Sequence, residues 1–315
     1  MAGHSSTWPI AAVALMALVV ASVRAQQTRP DATGASLEML KVQGNLYLLA
    51  GDGGNISIQI GNDGVLLVDT GVAALAPKAI EEIRKLSGGP IRFVVNTHVH
   101  ADHVGGNEAV ARLPVDPLQP LAVMAHGNVL NRLTKPVTGK ETPPAQLGLP
   151  IDEYFSPTKD LHFNGEAIVL YHEPNAHTDG DSVVLFRGSD VVSAGDIFTP
   201  GAYPFIDRDR GGSVAGEIAA LNHILQLTVP AKTQEGGTYV IPGHGRIGDE
   251  ADVVEYRDMV VIVRDRIRDL LNKRMTLEQV KAARPTRDYD AAYVSPGSLI
   301  SADQFVEAVY KSLAP

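Results

Sequence analysis

The chain of 315 residues contains no cysteine. This absence excludes disulfide bonds, thiolate catalysis and every metal site built on thiolate ligands. An oxidising compartment is compatible with such a sequence, because no thiol is present to form wrong disulfides during folding. Any metal site in this chain must therefore be built from imidazole and carboxylate side chains.

Basic residues are in the minority. The sequence has 27 Lys and Arg against 36 Asp and Glu, a formal net charge of -9. Nucleic-acid-binding proteins favour a basic face, so this balance argues against a nucleic-acid partner. Apolar residues make up 44% of the chain, which supports a substantial core and argues against disorder.

One long uncharged run, WPIAAVALMALVVASV, occupies residues 8–23 near the N-terminus. The small residues Val23 and Ala25 fit a signal-peptidase site, so we predict a signal peptide over residues 1–25. A transmembrane anchor is the alternative, but the run is short for a span of roughly 20 residues. We expect an exported protein, periplasmic or secreted, without stable membrane insertion after cleavage. The polar residues 26–38 then predict a flexible lead-in.

Short apolar runs separated by turn signals follow, and their periodicity predicts alternating strands and helices. In the first half, the predicted strands are 45–50, 55–60, 64–70 and 91–97, with a helix at 75–87. In the second half, the predicted strands are 166–174, 181–188, 190–196 and 237–245, with helices at 213–227, 250–273 and 301–313. Thr276 and Gln279 predict a capping box for one more short helix. The Pro- and Gly-rich stretch 113–165 predicts loops and a short helix.

This order of elements predicts the fold class α+β. Each half has several strands followed by a helix, which indicates two sheets packed face to face with helices outside, a four-layer αββα sandwich. No repeat or composition shift calls for separate domains, so residues 39–315 are predicted to form one domain with C-terminal helices. The sequence carries no signal for a particular oligomeric state.

A histidine-rich segment, NTHVHADHVGG, lies at residues 96–106 directly after a predicted strand. Alternate positions of an extended segment point the same way, so His98 and His100 can bind one ion together. Asp102 and His103 come where the chain turns and can face a neighbouring ion. Imidazole with carboxylate suits zinc and tolerates iron or manganese.

Three further candidate ligands also follow predicted strands. His177 lies in EPNAHTDGDS, Asp196 in VVSAGDIF and His244 in VIPGHGR, each in a loop that contains Gly or Asn. Loops held by a rigid scaffold are the usual place for functional residues. The other five histidines lack this context and are interpreted as leader, solvated or core residues: His4, His126, His162, His172 and His223. His126 is the least certain of these, because it also follows a strand-like run.

The order VLLVDTG, THVHADH, AHTDGD, AGD and PGHG resembles the metallo-β-lactamase superfamily. These motifs span residues 64–245 and imply the metallo-β-lactamase fold. The resemblance implies that one metal is held by His98, His100 and His177, and a second by Asp102, His103 and His244, with Asp196 bridging both. It also implies that Asp69, in VDTG, orients the ligand loop.

Two zinc ions in such a site predict a hydrolase of a small-molecule substrate. Paired cations share a water and lower its pKa to roughly 7, so that a metal-bridging hydroxide attacks a carbonyl. The expected bond is a β-lactam, lactone, ester or thioester, and Asp102 is the candidate catalytic residue that orients the hydroxide or moves a proton. The loop after Asp196 offers Tyr203, Phe205, Arg208 and Arg210 near the metals, and either arginine can bind a substrate carboxylate or be an ordinary loop charge.

The resemblance does not single out a substrate. The best-known β-lactamases of the superfamily carry cysteine where this chain has Asp196, and a bridging aspartate looks more like the glyoxalase II, lactonase and arylsulfatase-like branches. Two other functions are consistent with the fold: a mononuclear iron oxygenase of the persulfide dioxygenase type, and a binding protein without catalysis. The complete set of seven candidate ligands favours the hydrolase.

Overall fold

The structure is a computed structural model that describes residues 36–114, 117, 120–135, 146–234, 236–295 and 298–314. The predicted signal peptide 1–25 and residues 26–35 of the predicted lead-in lie outside the described residues. The last part of that lead-in is not loose as predicted. A first strand, β1 (Leu37–Lys41), begins there and pairs with the next strand, so backbone pairing overrides the polar composition.

The first sheet has seven strands in sequence order. They are β1, β2 (Leu46–Gly51), β3 (Ile56–Gly61), β4 (Gly64–Val68), β5 (Ile91–Val95), β6 (Ala122–His126) and β7 (Asp152–Tyr154). Strands β1 to β4 form an antiparallel meander, of which β2, β3 and β4 were predicted as strands, and β4 to β7 pair in parallel. Parallel strands end at the same edge of a sheet, so the loops after β4, β5, β6 and β7 all leave from one edge.

The second sheet has five strands in the order β12-β11-β10-β9-β8. They are β8 (Thr158–Phe163), β9 (Glu166–Glu173), β10 (Asp181–Phe186), β11 (Val191–Gly195) and β12 (Tyr239–Pro242). Neighbours from β8 to β11 are antiparallel and β11 pairs with β12 in parallel, so β9, β11 and β12 all run in one direction. Their carboxyl ends therefore share an edge as well.

Helices cover the outer faces of both sheets. They are α1 (Ala76–Leu86), α2 (Ala101–Val104), α3 (Asn107–Ala111), α4 (Gly127–Thr134), α5 (Val214–Leu227), α6 (Glu250–Asn272), α7 (Leu277–Ala282), α8 (Asp290–Tyr293) and α9 (Ala302–Leu313). The predicted capping box of Thr276 and Gln279 starts α7, and similar boxes start α6 and α9. Within the described ranges, none of the helices is long and apolar enough to cross a membrane.

The core divides into layers as strand alternation requires. In β4, Leu66 and Val68 belong to the apolar cluster between the two sheets, whereas Val65 and Leu67 pack against α1. A third cluster lies between the second sheet and helices α5, α6 and α9. The four-layer αββα sandwich is confirmed.

The prediction for residues 113–165 was wrong for the described part of that stretch. It contains β6, β7 and β8 as well as the expected short helix, α4. The stretch is rich in proline and glycine, and this composition led to a prediction of loops where the structure has three short strands. Strand β6 is buried and pairs with strands distant in sequence, so it shows none of the alternation that identifies a half-buried strand. Residues 115–116, 118–119 and 136–145 lie outside the described residues.

Candidate metal centre

The seven predicted ligand residues follow the carboxyl ends of four strands. His98 and His100 come after β5, and the chain then turns into α2, which carries Asp102 and His103. The remaining three are His177 after β9, Asp196 after β11 and His244 after β12. Strand direction in the two sheets thus places all of them where loops converge.

The structure gathers these residues into two groups. The first group is His98, His100, His177 and Asp196, and the second group is Asp102, His103 and His244. Within each group, the potential ligand atoms all lie within 4.8 Å of one another. In the first group, His177 Nε2 and His100 Nδ1 face each other at 2.9 Å. In the second, His244 Nε2 lies 3.2 Å from Asp102 Oδ2.

Asp196 lies between the two groups. Its Oδ2 is 3.8 Å from His98 Nε2 and 3.7 Å from His177 Nε2, in the first group. Its Oδ1 is 3.2 Å from His103 Nε2 and 3.6 Å from His244 Nε2, in the second group. Each carboxylate oxygen therefore faces a different cluster of imidazoles.

A glycine next to His244 makes room for this carboxylate. A Cβ atom added to Gly243 would lie 1.9 Å from Asp196 Oδ1 and 2.8 Å from the Gly195 carbonyl carbon. Such distances are far inside van der Waals contact, and the nearest backbone atoms cannot yield. The PGHG motif thus requires glycine before the histidine for steric reasons.

Four buried atoms at the centre of this arrangement have no hydrogen-bond partner among the described residues. They are His98 Nε2, His103 Nε2, His244 Nε2 and Asp196 Oδ1. Buried polar atoms are nearly always paired, so four unpaired atoms pointing into one space require a partner from outside the chain. Imidazole and carboxylate donors fit a divalent cation such as zinc.

Burial and charge act differently in the two groups. Burial lowers the pKa of His98 well below its usual range and lowers the pKa of His177 to about 4, against the attraction of Asp196. Burial also opposes a charge on His103, but the carboxylates of Asp196 and Asp69 outweigh it and raise the pKa of His103 well above 6.5. The second group is thus surrounded by enough negative charge to favour a cation.

Asp102 remains ionised in this setting. Burial alone would raise its pKa, but the contact with His244 and the charge of His103 hold the pKa of Asp102 at about 2. Its side chain is 31% exposed, against 25% for His244, whereas His103 is buried. Asp102 is therefore the candidate ligand most open to a bound substrate.

Asp69 orients His103 and the start of the ligand loop. Its Oδ2 lies 2.7 Å from His103 Nδ1, and it also accepts hydrogen bonds from the Thr97 amide at 2.8 Å and the Thr97 hydroxyl at 2.7 Å. The backbone of Asp69 has a φ of 64°, a left-handed conformation uncommon outside glycine. Such strain is found where surrounding contacts hold a functional residue in place.

Asp207, which was not predicted as a site residue, orients His100 in the way that Asp69 orients His103. Its Oδ2 lies 2.8 Å from His100 Nε2, which leaves His100 Nδ1 directed into the first group. The same oxygen accepts a hydrogen bond from Arg210 Nη1 at 2.9 Å, and burial of Asp207 is nearly complete. The charges of His100 and Arg210 outweigh burial and lower the pKa of Asp207 well below its usual range. No motif marks Asp207, because it meets His100 only through the fold.

The loop from Tyr203 to Arg210 divides into residues that face the site and residues that do not. The Phe205 carbonyl accepts a hydrogen bond from His177 Nδ1, and the Phe205 ring stacks on His100 with a centroid distance of 5.8 Å. Arg210 is engaged with Asp207. Tyr203 is buried elsewhere, with its hydroxyl 2.9 Å from Asp290 Oδ1, so the expectation that it lies at the metals was wrong.

The histidines interpreted as non-ligands lie outside both groups, apart from His4, which is outside the described residues. His223 contacts Glu173 on the face of α5. His126 stacks on His172 with a centroid distance of 3.5 Å, and burial with this neighbour lowers the pKa of His126 to about 4. The stacking on His172 accounts for the position of His126 without a metal.

Comparison with known proteins places these residues in a family. A family model described as the metallo-beta-lactamase superfamily matches residues 42–244. The "Metallo-beta-lactamase type 2" of Bacillus sp. (strain 170) is 21% identical over 198 residues, covering 62% of this chain and 68% of that protein. The protein of the same name from Bacillus cereus is also 21% identical over 198 residues, covering 62% of this chain and 69% of that protein.

Solved structures show the same fold. The stereoselective inverting sec-alkylsulfatase from Pseudomonas sp. matches with a TM-score of 0.64 and 18% identity, covering 88% of this chain and 50% of that chain. This chain thus spans about half the length of the alkylsulfatase. A metallo-beta-lactamase from Pontibacter korlensis matches with a TM-score of 0.55 and 18% identity, covering 71% of this chain and 99% of that chain.

The family match covers well over half of the chain and includes all seven candidate ligands. It agrees with the αββα sandwich and with two imidazole–carboxylate groups at the edge where strand ends converge. This chain belongs to the metallo-β-lactamase superfamily of metal-dependent hydrolases.

Proposed function

We propose that this chain is an exported dinuclear zinc hydrolase that cleaves a carbonyl-type bond, such as a β-lactam, lactone, ester or thioester. The position of Asp196 carries the proposal. One of its oxygens faces the first group and the other faces the second, at 3.2 to 3.8 Å from four imidazole nitrogens. A carboxylate held in this way suits two cations better than one.

His98, His100 and His177 would hold the first ion, Asp102, His103 and His244 the second, and Asp196 both. Bound zinc ions lower the pKa of a shared water to roughly 7 and polarise a substrate carbonyl. The chain itself supplies the orientation. Asp69 and Asp207 fix the ring positions of His103 and His100, and the Phe205 carbonyl fixes His177.

Asp102 is the residue that we assign to proton handling. Its carboxylate is partly exposed, whereas the imidazoles of the first group are mostly buried. It can therefore orient an attacking water from the cleft side and accept its proton. Asp102 cannot be replaced by its amide in this role, since the amide nitrogen donates hydrogen bonds and does not accept protons.

Metal analysis of the full chain, purified without added metal, tests the proposal. We expect two zinc ions per chain in the wild type and hydrolytic activity that is lost with a chelator and restored by zinc. Asp196→Ala should retain at most one ion and lose turnover. Unchanged activity in Asp196→Ala would refute the dinuclear site. As a control, Asp288→Ala removes a surface carboxylate that pairs with Arg266, and it should leave metal content unchanged.

The same analysis distinguishes the other functions allowed by the fold. One iron per chain would indicate an oxygenase, and no metal would indicate a binding protein. The complete second group of Asp102, His103 and His244 favours the hydrolase, because a mononuclear enzyme has no need of it.

A substrate panel then narrows the reaction. The zinc-loaded protein is assayed with a cephalosporin, a carbapenem, a homoserine lactone, a thioester and an aryl ester. A secondary alkyl sulfate belongs in the panel, because the fold is also that of a sec-alkylsulfatase. Activity on the sulfate alone would refute a carbonyl-type substrate.

Export is tested separately. Expression of the full sequence in a Gram-negative host followed by N-terminal sequencing should give a periplasmic protein beginning at Gln26. A cytoplasmic protein that retains residues 1–25 would contradict the proposed signal peptide.

A further inference from the structure

An open groove lies beside the candidate metal centre, between the loop at residues 205–209 and helix α9. It has a volume of about 870 Å³, and we call it the α9 groove. This volume falls within the range of 300–1,000 Å³ that is typical of small-molecule sites. Five of its eleven lining residues are apolar, and the other six are polar or charged. The apolar ones are Phe205, Ile206, Ile300, Ala308 and Ala314.

Phe205 connects the α9 groove to the candidate ligands. It lines the groove, and the same ring stacks on His100 and stands edge-on to His177 at a centroid distance of 5.6 Å. The ring is held there, because the Phe205 carbonyl accepts a hydrogen bond from His177 and the next residue, Ile206, is buried. Phe205 is nonetheless 44% exposed, so an apolar surface leads outward from the first group.

The charges around the α9 groove largely cancel. On one rim, Asp207 forms an ion pair with Arg210, and Arg208 and Asp209 are adjacent residues of opposite charge. On the other rim, Glu307 accepts hydrogen bonds from Lys281 at 2.6 Å and from Lys311 at 2.5 Å. A ligand in the groove is therefore selected by shape and apolar contact rather than by charge.

We propose that the α9 groove is a subsite for an aliphatic tail of the substrate, so that this chain prefers substrates with a medium-length alkyl or acyl chain. The inference rests on the proposed function in one respect: the reacting bond is taken to lie at the metal centre. The tail then crosses the Phe205 ring and lies between the loop at 205–209 and α9. Ala308 is the side chain of α9 whose enlargement would close this path.

The size of the effect follows from the apolar area that the tail buries. A fully buried methylene is worth about 0.8 kcal/mol, which is about fourfold in affinity, and an open groove buries about half of each methylene. Each methylene should thus contribute about twofold. Six additional methylenes then raise affinity by about 50-fold.

A fluorescent probe measures tail binding independently of catalysis. The full chain is titrated with 11-(dansylamino)undecanoic acid and with dansylglycine, which shares the fluorophore and the carboxylate but lacks the long chain. The two probes differ by nine methylenes, so at about twofold per methylene we expect the wild type to bind the long probe about 500-fold more tightly. Ala308→Trp should lower this ratio at least about tenfold, whereas Ala291→Trp, a change at an exposed alanine of α8 outside the groove, should leave it unchanged.

A second variant covers the case in which Ala308→Trp does not fold. Gln304 lines the groove with an exposed side chain, so Gln304→Trp obstructs the path without removing core packing, although it removes one of the two hydrogen bonds of the capping box that starts α9. Circular dichroism and thermal melting establish that each variant is folded. Equal affinity of the wild type for both probes, or an unchanged ratio in both groove variants, overturns the proposal. So does a change from dimer to monomer in Ala308→Trp with no change in the probe ratio, which would make the groove a contact between two copies of the chain.

Hydrolysis of 4-nitrophenyl acetate and 4-nitrophenyl octanoate separates this proposal from the proposed function. Preferred cleavage of the octanoate by wild type, and loss of that preference in Ala308→Trp with acetate cleavage kept, supports both. Selective binding of the long probe with no zinc-dependent hydrolysis supports the groove and contradicts the proposed function. Acetate hydrolysis without discrimination between probes or esters supports the function and overturns the groove.

Discussion

Replacing Asp207 by asparagine should weaken the first metal site while leaving the fold intact. The Asp207 carboxylate is buried and accepts hydrogen bonds from two donors, His100 Nε2 at 2.8 Å and Arg210 Nη1 at 2.9 Å. Asparagine has the same shape, but one of its two terminal atoms is a donor. The other carboxylate oxygen of Asp207 accepts a hydrogen bond from the Arg210 amide at 3.1 Å, so asparagine must turn its NH2 group either toward that amide or toward His100 and Arg210 Nη1. The variant also lacks the negative charge that favours the contact with His100, so His100 loses its fixed orientation or its preferred tautomer.

The magnitude follows from two independent estimates. Leaving a buried donor without a partner costs about 1–3 kcal/mol. Removal of a group that orients a metal-binding histidine typically costs about 10- to 100-fold in metal affinity, which corresponds to about 1.4–2.7 kcal/mol. We expect Asp207→Asn to bind its first zinc about 10- to 100-fold more weakly than the wild type.

Competition with a chromophoric zinc chelator measures this affinity. Asp288→Asn is the matched control, because it removes an aspartate that contacts Arg266 at 2.8 Å on the surface, far along the sequence from any candidate ligand. The control should bind zinc as the wild type does. A zinc affinity of Asp207→Asn within twofold of the wild type would refute the role assigned to Asp207.

Three further predictions concern other parts of the chain. If the proposed two-zinc site is present, Gly243→Ala should lose bound zinc, because the new Cβ would lie 1.9 Å from Asp196 Oδ1; an unchanged zinc content by elemental analysis would contradict this. Burial raises the pKa of Glu217 well above 4.5, so folded protein holds this proton more tightly than unfolded protein. Stability from this group is present below about pH 4.5 and is lost as the pH rises toward the folded pKa, so Glu217→Gln should gain stability relative to wild type between pH 5 and 8. The reasoning would be wrong if the melting temperatures of the two proteins changed equally with pH across this range. Thr276→Ala removes the capping hydroxyl of α7 and should lower the free energy of unfolding by about 1 kcal/mol in a urea titration; a loss below the error of the titration would contradict it.

Elements with regular periodicity could be predicted well from the sequence. Helix α5 was expected at 213–227 and spans Val214–Leu227, and α6 was expected at 250–273 and spans Glu250–Asn272. These helices carry local signals at their ends, such as the side chain of Ser213 that caps α5. Strand β6 was missed, since its pairing partners are distant in sequence and a buried strand lacks alternation. Strand β8 was missed although its burial alternates and it pairs with the adjacent β9, because the prediction for this stretch was based on its Pro and Gly residues.

The candidate ligands could be named from the sequence for a related reason. His98, His100, Asp102 and His103 lie within six residues, and the spacing of a short segment restricts where its side chains point. His177, Asp196 and His244 were found because each follows a strand, and strands that run in one direction end at one edge. Tyr203 shows the limit of such reasoning. It is close to Asp196 in sequence, but its side chain packs in the core and its hydroxyl contacts Asp290 instead of the candidate ligands.

The sequence by itself determined the chemistry of this protein: no thiolates, seven imidazole and carboxylate candidates at strand ends, and an αββα order of elements. These properties depend on residue type and on periodicity over a few residues. Only the tertiary structure decided that the two oxygens of Asp196 face different groups, that Asp207 orients His100, and that α9 forms a groove beside Phe205. Asp207 and His100 are 107 positions apart in the sequence, and Asp196 contacts His98 and His103 across more than 90 positions. Such contacts depend on how the sheets and helices pack against one another, and a pattern of a few neighbouring residues does not predict that packing.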